Sequence, residues 1–416
     1  MTARRHPTAR TSTGPSVASS AVAVTTVGVL PVYLVGVLAV QVRTDLGFGP
    51  ADLGLLAAAF FSTSAAASFL AGPVTRRLGS SVVVRGAAAA SAVSMFLIAG
   101  LARGLPVLAA ALVLGGTANG LGQPASNALI ASAVSARRQG LAFGAKQASI
   151  PLSTLLGGLA VPLVAIPFGW RWAFGFGGAL AVAAALSVPS GRARAPVVAR
   201  EPSVADGPFR RGPLLVLSTG LLLAAASGNA LGAFFVASTV SSDVAPGTAG
   251  LLAAMASLGG VTTRIAIGWL ADRTHARWLL VVALQLATGS IGYVLLATGR
   301  PVLMALGGLL GYCSGWAWAG LATYAVARMH HGLAARATGY SQAGLGLGSA
   351  IGPLAFGATV ATASYQTAWL GTAGVSLLAA AVVVLGRQLL LSERPALAEA
   401  HRGRRSAQRR GGASPR

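Results

Sequence analysis

The chain has 416 residues, 54% of them hydrophobic and 9% charged, with a mean hydropathy of +0.71 and a formal net charge of +23. Soluble domains carry about 25% charged residues, so this composition excludes a water-soluble fold and reads as an integral membrane protein. A nucleic-acid role, the usual reading of so large a positive charge, is excluded by how the charges are distributed.

In chain order, twelve apolar stretches of the roughly 20 residues needed to cross a bilayer fall at 18–42, 51–72, 82–102, 106–133, 141–165, 171–190, 213–238, 249–270, 278–298, 302–327, 338–361 and 367–387. None alternates with a period of two, which rules out a β-barrel. Arg4, Arg5 and Arg10 precede the first stretch as in a signal peptide, but that stretch is long for one and is read as a retained helix. The predicted organisation is a cytoplasmic tail at 1–17, a six-helix bundle at 18–190, a Pro- and Arg-rich linker at 191–212, a second bundle at 213–387, and a basic tail at 388–416. The ends, 1–15 and 394–416, read as disordered.

Of the 31 Lys and Arg residues, 25 fall in tails and loops on one side. Four fall on the other (Arg43, Arg103, Arg171, Arg300), and Lys146 and Arg264 lie within spans. This asymmetry places both termini and the linker in the cytoplasm of a cell-membrane protein. The basic tail, with Arg402, Arg404, Arg405, Arg409 and Arg410, is expected to touch anionic lipid. A lone cysteine, Cys313, allows no internal disulfide, and no His, Cys and acid cluster has metal-ligand spacing. No cofactor is expected. A monomer is.

The two halves repeat each other. Gly54-Leu-Leu-Ala-Ala58 recurs as Gly250-Leu-Leu-Ala-Ala254, each four residues after a proline, Pro50 or Pro246. Gly72 and Arg77 match Gly268 and Arg273 at the same offset of 196. After a one-residue slip Gly144, Gln147, Gly157 and Ala173 match Gly339, Gln342, Gly352 and Ala368. Duplicated membrane bundles point to a transporter with its substrate path where the halves meet.

Between spans eight and nine the chain reads Gly268-Trp-Leu-Ala-Asp272-Arg273-Thr-His-Ala-Arg277. This resembles the G-x-L-A-D-R-x-G-R-R loop of the major facilitator superfamily. Gly169-Trp-Arg-Trp172, the Gly157-Gly158 pair and Gly352-Pro353 are similar to family features as well. The resemblance implies an all-α membrane fold of twelve transmembrane helices in two pseudo-symmetric six-helix bundles. It also implies a conformational latch at Gly72, Arg76, Arg77, Gly268, Asp272 and Arg273, and spans 3, 6, 9 and 12 facing lipid. A carboxylate in such a loop can face the positive N-terminal end of a helix. The first-half loop has Arg76 where the family carries aspartate, so the latch is expected to rest on Asp272 alone.

The remaining polar residues in the spans are the candidates for binding substrate. Asn119, Gln123 and Asn127 lie four apart on one helical face. Arg264 stands eight residues before Asp272, about 12 Å along a helix at ~1.5 Å per residue, which is near mid-membrane. An arginine there costs about 2.5–3.5 kcal/mol to insert and lines a cavity or pairs with a charge. All eight acids lie in loops, tails or span ends, so either a substrate anion or backbone carbonyls and amides must hold it. The placement is similar to that in anion-carrying branches of the family. Lys146, nearer the cytoplasmic end, either snorkels or faces the cavity. Gln147 and Gln342 are expected to flank the pseudo-two-fold axis, and Tyr312 and Trp316, one turn apart, either line the cavity or pack helices.

Three readings follow. The first is a small-molecule carrier for an organic carboxylate working by alternating access, with H⁺ as a candidate coupling ion. The second is an efflux carrier for a neutral or acidic compound. The third, a membrane enzyme or sensor, lacks the clustered aspartates, catalytic dyad or added domain it would need.

Overall fold

A computed structural model describes residues 14–134, 139–189, 211–274, 277–329 and 334–411. The linker and most of the N-terminal tail lie outside the described residues. Twelve long helices account for nearly all of the described chain. The first half holds α1 (Gly14–Val37, continued as Ala39–Leu46), α2 (Pro50–Leu78), α3 (Ser80–Leu101) and α4 (Leu105–Ala133). It ends with α5 (Gln139–Gln147, Ser149–Ala160, a π-helical turn Val161–Ala165, Ile166–Phe168) and α6 (Trp170–Ser187). The second half holds α7 (Gly212–Val240), α8 (Pro246–Ala271) and α9 (Trp278–Ala297). It continues with α10 (Pro301–Leu310, a π-helical turn Gly311–Gly315, Ala319–Met329), α11 (Ala334–Thr362) and α12 (Tyr365–Gly411).

Among the described residues, eleven helices are long and apolar enough to cross a membrane. The remaining predicted span, the sixth, is α6; it has 18 residues and opens on Trp-Arg-Trp, which lowers its hydropathy. It packs against α1 and α3 as a full member of the first bundle.

Local sequence explains where the helices begin. Pro50, Pro106, Pro213, Pro246 and Pro301 sit in the first turn of α2, α4, α7, α8 and α10, where a missing N–H leaves nothing unsatisfied. Gly79 (φ 87°) and Gly169 (φ 94°) are the single residues joining α2 to α3 and α5 to α6, in a conformation that a side chain would strain. At the second joint Arg171 and Trp170 both hydrogen-bond Asp45 in the last turn of α1, at 2.7 and 3.1 Å, tying that end of the bundle together. The guanidinium of Arg171 and then the indole N–H of Trp170 hold the Asp45 carboxyl below its usual range, more than its slight desolvation raises it.

Helices α3, α6, α9 and α12 expose Val93, Phe96, Phe176, Leu284, Ile291 and Leu378, as lipid-facing helices should, but apolar exposure is not confined to them, since α8 exposes Leu251, Met255, Leu258 and Trp269. One expectation is corrected. The tail beyond residue 394 was expected to be disordered, but α12 continues as helix to Gly411. Its Ala, Leu, Glu and Arg content supplies strong helix formers, which a reading based on charge overlooks.

The halves meet along α1–α7, α2–α11 and α5–α8. Close approach is made by small residues in repeat-related pairs. A Cβ on Gly54 would lie 2.5 Å from Pro353 O, and one on Gly250 would lie 2.7 Å from Gly158 O. Gly54 is the counterpart of Gly250, and Gly158 of Pro353, so the two seams are the same contact made twice. The Tyr33 hydroxyl donates to Asn229 Oδ1 at 2.8 Å across 196 residues, the repeat offset itself, which puts this bond on the pseudo-two-fold axis.

Candidate functional site

The candidate polar residues form three groups, two within the spans and one at the loop motif. The first surrounds Arg264. Pro151 has no N–H to offer the carbonyl four residues back, so Gln147 O is left without its helical donor and α5 turns at Ala148. In α10 the π-helical turn is followed by Trp316-Ala317-Trp318, which are not helical, leaving Trp316 O without a helical donor. Arg264 of α8 reaches both. Its Nη1 donates to Gln147 O at 2.5 Å and its Nη2 to Trp316 O, with the guanidinium 5.6 Å from the Trp316 ring centroid. One cation thus satisfies two free carbonyls from opposite halves, through charge-assisted bonds stronger than neutral ones. The residue is 4% exposed, and its Nε–H has no partner.

Around it, α5 and α8 are joined along their length. Thr154 and Ser257 share a hydroxyl hydrogen bond of 2.7 Å, and the Tyr312 hydroxyl lies in electrostatic contact with both but in no well-aligned hydrogen bond. Tyr312 and Trp316 are fully buried and edge-packed on each other at 5.4 Å, and Trp316 is edge-packed on Tyr33 at the same distance. Gly228 and Gly232 leave room for the Trp316 indole, since a Cβ on either would collide with it. These two aromatic residues therefore pack helices together at the axis.

The second group is a cage around Lys146. Its ammonium donates to Gln123 Oε1 at 2.7 Å, Asn127 Oδ1 at 2.6 Å and Gln123 O at 3.1 Å. Asn119, the third member of the stripe, donates to Ser64 of α2 at 2.8 Å and accepts a long 3.4 Å bond from Gln123. The stripe on α4 thus faces protein, and two of its members meet the lysine of α5. Lys146 is 2% exposed, while Asn127, at the end of the stripe, is exposed.

The third group is the loop motif. Asp272 Oδ2 accepts the Leu141 N–H at 2.9 Å, placing a carboxylate on the N-terminal turn of α5 in the other half. Gly268 packs against Gly144, 3.1 Å from the latter's Cβ position, and Arg273 lies over the Trp269 ring at 3.7 Å. The repeat-related corner differs. Arg76 and Arg77 are exposed, and among the described residues Arg76 makes no hydrogen bond or ion pair. Gly72 meets nothing but the Arg76 side chain at 3.5 Å, and Gly339, counterpart of Gly144, has nothing within 4 Å. On the face carrying these loops α5–α8 is shut and α2–α11 is parted. Gln342, on the parted edge, is exposed, whereas Gln147 contributes its backbone carbonyl and rests its side chain on Gly320.

The sequence reading missed Tyr33, Asn229 and Ser349, which form a hydrogen-bonded chain across α1, α7 and α11. Its signal was a carboxamide alone in the middle of an otherwise apolar span. Ser64, the partner of Asn119, carried none.

A family model described as the Major Facilitator Superfamily matches residues 20–240 and again 217–412. The chain belongs to that superfamily and is a membrane transporter of small molecules. No curated protein matches it in sequence. Solved structures similar in fold include a bacterial homolog of the human lysosomal transporter Spinster, inward-facing and unoccupied (15% identity, 92% of this chain and 98% of that chain, TM-score 0.70). The nucleoside transporter NupG is also similar (15%, 90% and 98%, TM-score 0.67), as is the human organic anion transporter MFSD10 (17%, 91% and 100%, TM-score 0.64).

Proposed function

We propose that this protein carries a small organic carboxylate across the cell membrane by alternating access, with both termini cytoplasmic and Arg264 as the anchoring charge. The fold does not choose a substrate, since proteins of similar fold are described as nucleoside, sugar and organic anion carriers. The choice comes from the charges. Within the described spans the buried fixed charges are Arg264 and Lys146, both cations, and the described ion pair joins Arg171 to Asp45 at a helix end. The carrying observation is Arg264 itself: two of its N–H groups hold carbonyls, its Nε–H is unpartnered, and no carboxylate of the described chain pairs with it.

A guanidinium has five N–H groups in a fixed fork, so the Nε–H edge is free to take a carboxylate side-on while the carbonyl bonds remain or exchange. Access requires α5 and α8 to part on the loop face, breaking the Asp272–Leu141 bond and the Gly144–Gly268 contact. Substrate binding and the opening of this seam thus draw on the same residue.

The test is a thermal-shift screen of purified protein against carboxylates and matched amides, because a ligand of the folded state raises apparent stability. Carboxylates should stabilise the wild type, more weakly Arg264→Lys, and not Arg264→Ala, with all three inserted normally. Equal stabilisation by uncharged analogues, or normal flux through Arg264→Ala, would overturn the anion reading and leave a carrier of another substrate.

A further inference from the structure

The chain contains 30 arginines and a single lysine, and that lysine is Lys146, 2% exposed inside the first bundle. A sequence that meets every other need for a cation with arginine departs from this habit once, at a buried position. Arginine keeps its proton in proteins, whereas lysine can give its proton up. A purely structural cation at this position would be served by arginine, which offers more donors to the same acceptors.

The surroundings fit a group that changes protonation state. The acceptors around Nζ are a carbonyl and two carboxamides, with no carboxylate among them. The helices packed on this turn of α5 are α1, α4, α8 and the second part of α10. Their ionisable residues among the described ones are Tyr33, Arg264, the adjoining Asp272, Tyr324 and Arg328, together with Arg43 and Asp45 at the opposite end of α1, where Arg43 bonds Phe48 O and Asp45 pairs with Arg171. Tyr33 is bonded to Asn229, Arg264 to two carbonyls, Asp272 to the Leu141 N–H, and Tyr324 to Ala271 O while receiving Arg328. None of them pairs with Lys146.

The choice of amides matters. Three oxygens match the three N–H groups of an ammonium. An amine has two N–H groups and a lone pair, so one neighbour must become a donor. A carboxamide does this by turning over, presenting NH₂ in place of oxygen, which a carboxylate cannot do. Asn127, the exposed member and the one nearest the loop end of α4, is placed to turn.

We propose that Lys146 is the proton-exchanging site of this carrier, taking up a proton as ammonium within the Gln123–Asn127 cage and releasing it to water past Asn127, whose amide turns as it leaves. The proposal rests on the protein being a carrier and is independent of which substrate it moves.

The single lysine makes the test direct. Full-length protein grown with lysine labelled with ¹³C at Cε carries the label at one residue, so one resonance reports one site. On taking the sample from pH about 5 to about 9, a span that brackets the pH of either membrane face, that resonance should pass from its ammonium to its amine position. Asn127→Asp puts a fixed anion against Nζ, which favours the charged form, and should hold the resonance at the ammonium position throughout. A wild-type resonance that stays at the ammonium position over the whole range, or an Asn127→Asp protein that titrates like the wild type, overturns the proposal. Neither result depends on the carboxylate screen, so the two readings fail separately.

Discussion

Replacing Gly158 should trap the protein open on the face away from the loop motif. A Cβ there would lie 2.5 Å from Gly250 O and 2.7 Å from Ala254 N, both backbone atoms that cannot swing aside. Ordinary carbon–oxygen contact begins near ~3.4 Å, so even alanine requires α5 and α8 to separate by roughly 0.9 Å, and leucine by more. Overpacking of this kind costs about 1–3 kcal/mol, which at about 1.4 kcal/mol per tenfold reduces the closed population roughly 5- to 140-fold. The assay is a distance measurement between spin labels at positions 103 and 300, in the loops before α4 and α10, in a Cys313→Ser background. Gly158→Leu should move the distribution to longer distances and reduce flux in reconstituted vesicles. Gly175→Leu is the control, because its Cβ position meets nothing within 4 Å. If Gly158→Leu shows the wild-type distances and flux, the α5–α8 contact is not a closing surface and the reasoning fails.

Asp272→Asn, which keeps an acceptor but removes the charge facing α5, should weaken the loop-face seam by about 0.3–1 kcal/mol at an exposed helix end and change flux by a few-fold, whereas Arg76→Ala should change it little; equal defects would remove the asymmetry. Arg264→Ala strands two carbonyls at a cost of about 1–3 kcal/mol each, so its melting temperature without ligand should fall, with Arg264→Lys recovering part of the loss; an unchanged melting temperature would show that the carbonyl bonds carry no stability. Lys146→Arg should retain substrate exchange between equal pools but lose accumulation driven by a pH gradient, measured in the same vesicles. Asp45, held below the usual carboxylate range by Arg171 and then Trp170, contributes stability that is present above its unfolded value near ~3.9 and lost as pH falls through its lower folded value. Asp45→Asn should therefore flatten the acid limb of the melting curve, and an unaltered limb would show that the pair is inert.

Much of the architecture was legible because it depends on properties that are local in sequence. Span length follows from runs of apolar residues, helix starts from Pro50, Pro106, Pro213, Pro246 and Pro301, and duplication from a register that links Gly54 to Gly250. Even the choice of Asp272 over Arg76 as the residue facing a helix end follows from charge sign alone, and the hydrogen bond to Leu141 lies where that sign permits it. The spacing of Asn119, Gln123 and Asn127 showed a shared face but not what the face meets. That depended on the rotation of α4 against α5 and α2, which brings Lys146 onto two of them and Ser64 onto the third. Arg264 shows the division most clearly. Its depth and the lack of a nearby acid are set by sequence, which also shows a proline at position 151 that must free a carbonyl. Only packing decides that this carbonyl and the one at Trp316 converge on the same guanidinium, because they belong to interruptions in two helices 169 residues apart that no local pattern relates.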